Sequence, residues 1–178
     1  LAVADALAAT LGGEDTALIV NDRIDIALAA RAAGARVDGV HVGQSDLPAA
    51  SVRAILWPGA ILGVSVGEPE EAAAAAPHAD YLGVGPLVDT ATKPDARTSL
   101  GLAGIAAVCA STPLPCVAIG GIDVAVTPRL REAGAAGVAI VSGICAQPDP
   151  GAASAAYLDA WRAGAPGNAH PGVAAVTT

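Results

Sequence analysis

Short β-branched segments alternate with alanine-rich helical segments along most of this chain, and this alternation limits its fold more than any other feature. Six apolar segments are typical of strands, at 17–21, 37–42, 60–65, 79–85, 115–120 and 137–142. Stretches of helix formers lie between them, at 25–34, 46–56, 68–76, 102–111 and 127–134. Strands that alternate with helices in this way predict βα units and a parallel sheet rather than an α+β layout.

The strands are apolar throughout, which predicts a sheet covered by helices on both faces, either doubly wound or closed as a barrel. Nearly every strand ends in polar or glycine residues: Asn21, Asp22, Gln44, Asp46, Ser65, Gly85, Gly120, Gly121, Ser142 and Gly143. In a barrel these strand ends form one catalytic face. We therefore expect an α/β fold of the (β/α)8 TIM-barrel type, with its function at the carboxyl ends of the strands.

Length and composition limit the number of domains and the classes of partner that this chain can have. A chain of 178 residues with 53% hydrophobic content can bury one substantial core, so we predict a single domain over 1–164 and a disordered tail over 165–178. No stretch approaches the ~18 uninterrupted apolar residues of a membrane span. The net charge of −8, without a basic cluster, argues against nucleic acid. Three isolated cysteines fit packing roles in a reducing, cytoplasmic compartment.

Two glycine-containing motifs follow the last two predicted strands, IGGI at 119–122 and VSGI at 141–144. In many barrels the loops at these places bind phosphate, because glycine lets backbone N–H groups approach the anion. The alternative is that these glycines serve turns and helix caps.

Asp22 and Asp46 follow consecutive predicted strands. Neighbouring parallel strands lie about 4.8 Å apart, so the two carboxylates could reach one Mg²⁺ ion that substrate phosphates share. The alternative is helix N-capping, since Asp22 precedes a helix and Asp46 lies two residues before Pro48. Asn21 and Gln44 add amide groups at the same edge, with turn formation as their alternative.

Lys93 is the only lysine of the chain, and Thr90 and Thr92 precede it in a long loop between a strand and a helix. A compact cation beside two hydroxyl groups suits phosphate or pyrophosphate oxygens; the alternative is a solvated loop lysine. Long ordered loops are often lids or binding loops. Ser65 ends its strand at the same edge, and His41 fits a satisfied, hydrogen-bonded histidine better than a base.

Together these segments resemble the thiamine-phosphate synthase family. The resemblance is carried, in order and spacing, by IVNDRIDIAL, GVHVGQSDL, ILGVSV, ADYLGVGPLVDTATK, AIGGI and GVAIVSGI. It implies a TIM-barrel transferase of thiamine biosynthesis that depends on Mg²⁺. Such an enzyme joins hydroxymethylpyrimidine pyrophosphate to hydroxyethylthiazole phosphate, and releases thiamine phosphate and pyrophosphate.

The resemblance also implies roles for single residues. Asp22 and Asp46 would hold Mg²⁺, and Asn21 would contact the pyrimidine substrate. Ser65 and Lys93 would be the catalytic residues, Ser65 near the reacting carbon and Lys93 on the pyrophosphate. The thiazole phosphate would be held by a larger set, which comprises Thr90, Thr92, Gly121, Val141 and Ser142.

The chain departs from the family at its beginning. The family's first two strands, with a Q-x-R-x-K segment that binds the pyrimidine pyrophosphate, have no counterpart in this sequence. We therefore expect an incomplete, N-terminally truncated barrel of about six βα units, strands 3 to 8, whose exposed sheet edges favour a homo-oligomer. Two alternatives stay open: a relative resembling the thiazole tautomerases, and a catalytically impaired phosphate-binding fragment.

Overall fold

The computed structural model describes residues 2–11, 15–88 and 98–166 of the 178-residue chain. The strands are β1 (Ile19–Asn21), β2 (Gly39–Val42), β3 (Ile61–Val66), β4 (Tyr81–Val84), β5 (Cys116–Ile119) and β6 (Gly137–Ala139). The helices are α1 (Ala2–Thr10), α2 (Ile24–Ala32), α3 (Ala49–Ile55), α4 (Pro69–Ala75), α5 (Gly101–Ser111), α6 (Thr127–Glu132), α7 (Ser142–Cys145) and α8 (Pro150–Ala163). A helix follows each strand, so the predicted alternation of strands and helices is confirmed.

The chain forms two compact units. The first comprises Leu1–Ser65 and Ala75–Tyr81, and the second comprises Val66–Ala74 and Leu82–Thr178. The predicted single domain over 1–164 stays a prediction. Of the predicted tail over 165–178, residues 167–178 lie outside the described part of the chain, as do Thr90, Thr92 and Lys93.

In the first unit, β1, β2 and β3 are parallel and lie in chain order, with Ile19 opposite Gly39 and Val40 opposite Leu62. Val40 and Leu62 are fully buried. Gly39 is required for close approach of the strands, because a Cβ atom there would lie 2.1 Å from the backbone oxygen of Ile61. The close pairing of β2 with β3 at the start of β2 therefore depends on a glycine.

Arg53 of α3 holds the amino-terminal ends of two strand segments together within the first unit. Its Nε donates to the backbone oxygen of His78 and its Nη1 to that of Ala60, both at 2.8 Å. Its Nη2 pairs with Asp80 Oδ2 at 2.5 Å. The same carboxylate oxygen accepts the backbone N–H of Leu62 at 2.7 Å. One side chain thus joins a helix to the start of β3 and to the turn before β4.

Replacing Arg53 with methionine should lower the free energy of unfolding by about 2 kcal/mol. The change leaves two backbone carbonyls without their donor, whereas the partly exposed ion pair adds little by itself. Urea denaturation measures the loss. The same substitution at the exposed Arg129 of α6 is the control, and equal losses in the two variants would contradict the role assigned to Arg53.

In the second unit, β4, β5 and β6 are parallel and again follow chain order, with Leu82 opposite Cys116 and Val117 opposite Gly137. The core of this unit consists of fully buried apolar side chains, among them Leu82, Val84, Ile105, Val108, Cys116, Ala118 and Leu130. Cys109 and Cys116 are buried and Cys145 is exposed. A hydrogen bond with the Cys109 thiol raises the pKa of the Cys116 thiol.

The carboxyl-terminal part of the second unit differs from the prediction at two places. β6 ends at Ala139 instead of 142, because the chain turns at Val141 and begins the short helix α7 at Ser142. Helix α8 is absent from the elements predicted by the sequence pattern. The sequence signal for the start of α8 is Asp149 followed by a proline. In the structure, the Asp149 side chain accepts the backbone N–H of Ala152 at 2.9 Å, as a helix N-cap does. Throughout the described residues, the helices are too short or too polar to cross a lipid bilayer.

Candidate active site

Asp22 lies where β1 ends and the chain turns towards α2. Its φ is 61°, in the left-handed region that asparagine, aspartate and glycine adopt most readily. Its backbone N–H donates to the backbone oxygen of His41 at 2.8 Å. The N-cap position of α2 is Arg23, without a side-chain hydrogen bond. The capping alternative for Asp22 is therefore wrong, and its carboxylate is exposed at the end of β1, beside exposed Asn21.

Asp46 lies in the turn after β2. Its Oδ2 accepts the backbone N–H of Gly43 at 2.7 Å, so the carboxylate closes the turn from 43 to 46. The N-cap of α3 is Pro48, and the capping alternative is therefore wrong for Asp46 as well. The hydrogen bond from Gly43 to Oδ2 holds the half-buried side chain in place. The second carboxylate oxygen, Oδ1, does not take part in this bond.

Asp22 and Asp46 offer carboxylate oxygens, the ligands that hard cations prefer, and they follow neighbouring strands. β1 and β2 are hydrogen-bonded neighbours, and Asn21 lies opposite His41 at their carboxyl ends. Within the described residues, no group of three or more His, Cys, Asp and Glu side chains forms a metal site. Mg²⁺ is commonly bound through one or two carboxylates, with water and substrate phosphates as its other ligands. In number and type, the two carboxylates are therefore compatible with Mg²⁺.

Arg23 and Asp25 lie beside Asp22 on the surface of the first unit. The Arg23 side chain donates to both carboxylate oxygens of Asp25, one of them at 2.8 Å and the other at 2.5 Å. The hydrogen bond from Arg23 lowers the pKa of Asp25 to about 2. Asp25 is therefore ionised at neutral pH and paired with an arginine, whereas the Asp22 carboxylate has no ion-pair partner among the described residues.

Ser65, predicted at the catalytic edge, is half-buried near the end of β3. Its Oγ lies 2.9 Å from His41 Nε2, and its backbone oxygen accepts Gln44 Nε2 at 2.7 Å. The first unit therefore joins Ser65 to the loop that carries Gln44 and Asp46. The prediction of Gln44 at this edge and that of His41 as a hydrogen-bonded histidine agree with these contacts.

Sequence reasoning missed Tyr81, the first residue of β4. Its Oη lies 2.9 Å from His41 Nδ1, so both ring nitrogens of the histidine are engaged. Burial raises the pKa of the Tyr81 hydroxyl above its ordinary value. The available signal was a tyrosine in a chain that has two of them, within the segment ADYLGVG, but no spacing rule connects that position with His41.

In the second unit, the turn after β5 has two left-handed glycines, with φ of 95° at Gly120 and 66° at Gly121. The backbone oxygen of Gly120 accepts the N–H of Val88 at 3.2 Å, which ties this turn to the segment after β4. A Cβ atom at Gly121 would lie 2.2 Å from Val88 Cγ2. The glycines predicted at a phosphate loop thus adopt a conformation and a close approach that other residues would not allow.

Val141 and Ser142 follow β6, and both are exposed. The buried Tyr157 of α8 supports this segment and the preceding glycine turn together. Its Oη donates to the backbone oxygen of Ile122 at 3.1 Å, and a Cβ atom at Gly143 would lie 2.3 Å from the same Oη. The two motifs predicted as phosphate loops therefore share one supporting side chain, which sequence reasoning did not single out.

The structure thus places Asn21, Asp22, Asp46 and Ser65 in the first unit. It places Gly121, Val141 and Ser142 in the second unit. The remaining predicted residues, which are Thr90, Thr92 and Lys93, lie outside the described part of the chain. Their roles stay predictions from the sequence.

Comparison with known proteins identifies relatives along most of the chain. A family model described as thiamine monophosphate synthase matches residues 1–144. The thiamine-phosphate synthase of Desulfitobacterium hafniense (strain Y51) is 48% identical over 146 residues, which cover 82% of this chain and 68% of that protein. The thiamine-phosphate synthase of Laribacter hongkongensis is 50% identical over 134 residues, which cover 75% of this chain and 61% of the relative.

Solved structures agree with the sequence comparison. A thiamine phosphate pyrophosphorylase from Pyrococcus furiosus superposes with a TM-score of 0.80 at 32% identity, over 90% of this chain and 75% of that one. A 3-hexulose-6-phosphate synthase, at 23% identity and a TM-score of 0.63, shares the fold alone. The predicted fold class, an α/β fold of TIM-barrel type with six βα units, is confirmed by the first of these similarities.

Proposed function

This chain belongs to the thiamine monophosphate synthase family of transferases in thiamine biosynthesis, and we propose that it joins hydroxymethylpyrimidine pyrophosphate to hydroxyethylthiazole phosphate. The products would be thiamine phosphate and pyrophosphate. The observation that carries this proposal is the pair of carboxylates, Asp22 and Asp46, after the paired strands β1 and β2. Ser65 is joined by hydrogen bonds to the residues around them.

In the first unit, we assign Asp22 and Asp46 to Mg²⁺ and Asn21 to the pyrimidine substrate. The exposed side chains of Asn21 and Asp22 and the second oxygen of Asp46 support this assignment. When bound, Mg²⁺ would neutralise charge on the oxygens of the departing pyrophosphate. Ser65 would donate a hydrogen bond near the reacting carbon, where its hydroxyl is held by His41.

In the second unit, we assign the thiazole phosphate to Gly121, Val141 and Ser142. The left-handed turn at Gly121 and the exposure of Val141 and Ser142 support this assignment. Thr90, Thr92 and Lys93 enter the proposal from the sequence alone. Thr90 and Thr92 would contact the same phosphate, and the Lys93 ammonium would pair with pyrophosphate oxygens.

The proposed reaction breaks one bond and forms one bond. The C–O bond between the pyrimidine methylene and pyrophosphate breaks, and pyrophosphate leaves with the electron pair. The methylene carbocation is then captured by the lone pair of the thiazole nitrogen, which forms the C–N bond. The protein would contribute donors to the leaving group and alignment of the nucleophile, two effects that lower barriers without covalent participation of a side chain.

Pyrophosphate and thiamine phosphate, both quantified by chromatography of quenched samples, test this function directly. Release should require Mg²⁺ and both substrates together. Isomerisation of a thiazole phosphate without the pyrimidine would instead indicate a tautomerase. Calorimetric binding of thiazole phosphate without any turnover would indicate an impaired binding fragment, and either result would contradict the synthase proposal.

The partners we propose are small molecules, in the cytoplasm, without nucleic acid. The net charge of −8 supports the absence of nucleic acid, because the phosphate backbone of nucleic acids repels an acidic protein.

We also propose a homo-oligomer. Among the described residues, β1 and β6 each pair with one strand, and strand edges are commonly covered in native proteins. Sedimentation of the purified chain tests the oligomer.

A further inference from the structure

Three side chains from three strand segments form one hydrogen-bonded chain within the first unit. His41 of β2 occupies the middle, with Nε2 at 2.9 Å from Ser65 Oγ of β3 and Nδ1 at 2.9 Å from Tyr81 Oη of β4. The rings of His41 and Tyr81 lie 5.4 Å apart between centroids, tilted by 42°. A histidine with both nitrogens engaged has a fixed ring orientation.

Gly63 provides the space that this chain requires. It lies opposite His41 in the register of β2 and β3. A Cβ atom at Gly63 would lie 2.2 Å from Tyr81 Cζ and 2.3 Å from His41 Nδ1. Any other residue at position 63 would therefore push apart the two rings that meet above it.

The direction of the two hydrogen bonds of His41 depends on which ring nitrogen carries its proton. A neutral imidazole has one N–H donor and one acceptor nitrogen. Burial keeps the Tyr81 hydroxyl protonated, and among the described residues its Oη has hydrogen-bond contact with His41 alone. With the phenol as the donor to Nδ1, the proton of His41 lies on Nε2 and is donated to Ser65 Oγ. The hydroxyl hydrogen of Ser65 is then free to point away from His41.

We propose that His41 and Tyr81 are positioning residues that turn the Ser65 hydroxyl hydrogen towards the pyrophosphate leaving group. This inference rests on the proposed function, which places Ser65 beside that group. A hydroxyl whose oxygen already accepts a hydrogen bond has fewer orientations to lose in the transition state. The effect should therefore appear in kcat more than in KM.

Two substitutions of His41 separate positioning from packing. Glutamine places its amide nitrogen near the position of Nε2 and can donate to Ser65, whereas asparagine reaches only the position of Nδ1. The loss of one hydrogen bond in the transition state corresponds to about a tenfold decrease in kcat. His41→Asn should therefore lower kcat about tenfold with little change in KM, and His41→Gln should retain most of kcat. Equal losses in both variants would overturn the proposal.

A double variant tests whether the effect passes through Ser65. In the Ser65→Ala background, His41→Asn should lower kcat by no more than about twofold further, because contacting residues that act together are not additive. A further tenfold decrease would overturn the proposal. Circular dichroism of each variant confirms the fold before the rates are compared.

NMR of isotope-labelled histidine nitrogens tests the hydrogen-bond chain without any substrate. At roughly pH 8, above the ordinary histidine pKa, His41 should show the Nε2–H tautomer, and Tyr81→Phe should shift it towards a mixture. A wild-type Nδ1–H tautomer would overturn the inference. If the wild-type protein releases no pyrophosphate, the proposed function fails, and the tautomer measurement still decides the hydrogen-bond chain.

Discussion

Replacing Asp22 with asparagine should lower Mg²⁺-dependent pyrophosphate release by about a hundredfold or more. A neutral amide oxygen is a much weaker ligand for a hard cation than a carboxylate. Even mutation of residues that only support metal ligands typically lowers metal affinity or activity by about 10- to 100-fold. Asparagine is the right substitution here because it tolerates the φ of 61° at this position. Alanine would add a backbone penalty to the loss of charge.

Asp25→Asn is the matched control for Asp22→Asn. It makes the same chemical change three residues later, at a carboxylate paired with Arg23. We expect the control to keep its rate within about twofold, because exposed ion pairs contribute little to stability. Initial rates across a Mg²⁺ titration measure both variants, and higher Mg²⁺ should partly restore Asp22→Asn. An unchanged Mg²⁺ dependence in Asp22→Asn would remove this residue from the metal site.

Replacing Gly120 with alanine should lower the free energy of unfolding by about 3 kcal/mol. Its φ of 95° disfavours any L side chain, and an added Cβ would lie 2.6 Å from Pro86 Cβ and 2.7 Å from Pro86 Cα. The Cα atom belongs to the backbone, so relief of this contact requires a shift of the chain itself. Left-handed strain and overpacking together account for the expected loss.

Gly134→Ala separates the two contributions. Gly134 lies in the same unit with the same φ of 95°, but its added Cβ would lie at an ordinary 3.4 Å from Cys109 Cβ. We expect the control to lose about 1 kcal/mol, the cost of the backbone conformation alone. Urea denaturation of both variants gives the difference. Equal losses would show that the contact between Gly120 and Pro86 is not a tight one.

The Gly120→Ala variant also tests the proposed phosphate loop at 119–122. Gly121 follows in the same turn, and Gly120 accepts the hydrogen bond of Val88. A shifted turn should weaken the binding of thiazole phosphate in calorimetry, whereas Gly134→Ala should leave it unchanged.

The order of the strands and the residues at their ends could be predicted because both are local properties of the chain. A continuous apolar segment such as 60–65 indicates a buried strand, and the polar residues after it then fall at one edge of a parallel sheet. Asp22 and Asp46 were placed after neighbouring strands on this ground. The end of β6 could not be predicted, since Val141 continues the apolar pattern while Ser142 already begins a helix.

The contacts of His41 depend on tertiary structure and could not be predicted. Tyr81 lies 40 residues away in the chain, and its approach requires the absence of a side chain at Gly63. A glycine within an apolar strand indicates close packing in general, but it does not identify the residues that pack there. The same holds for Tyr157, which supports a turn 35 residues earlier.

The different exposure of the three cysteines has a practical use. Cys109 and Cys116 are 3% and 0% exposed in the core of the second unit, whereas Cys145 is exposed at the end of α7. A thiol-reactive fluorophore should therefore attach to the natural protein at one place without mutagenesis. That place is three residues from Ser142, so the emission of the dye would test the proposed binding of a phosphorylated ligand at this segment.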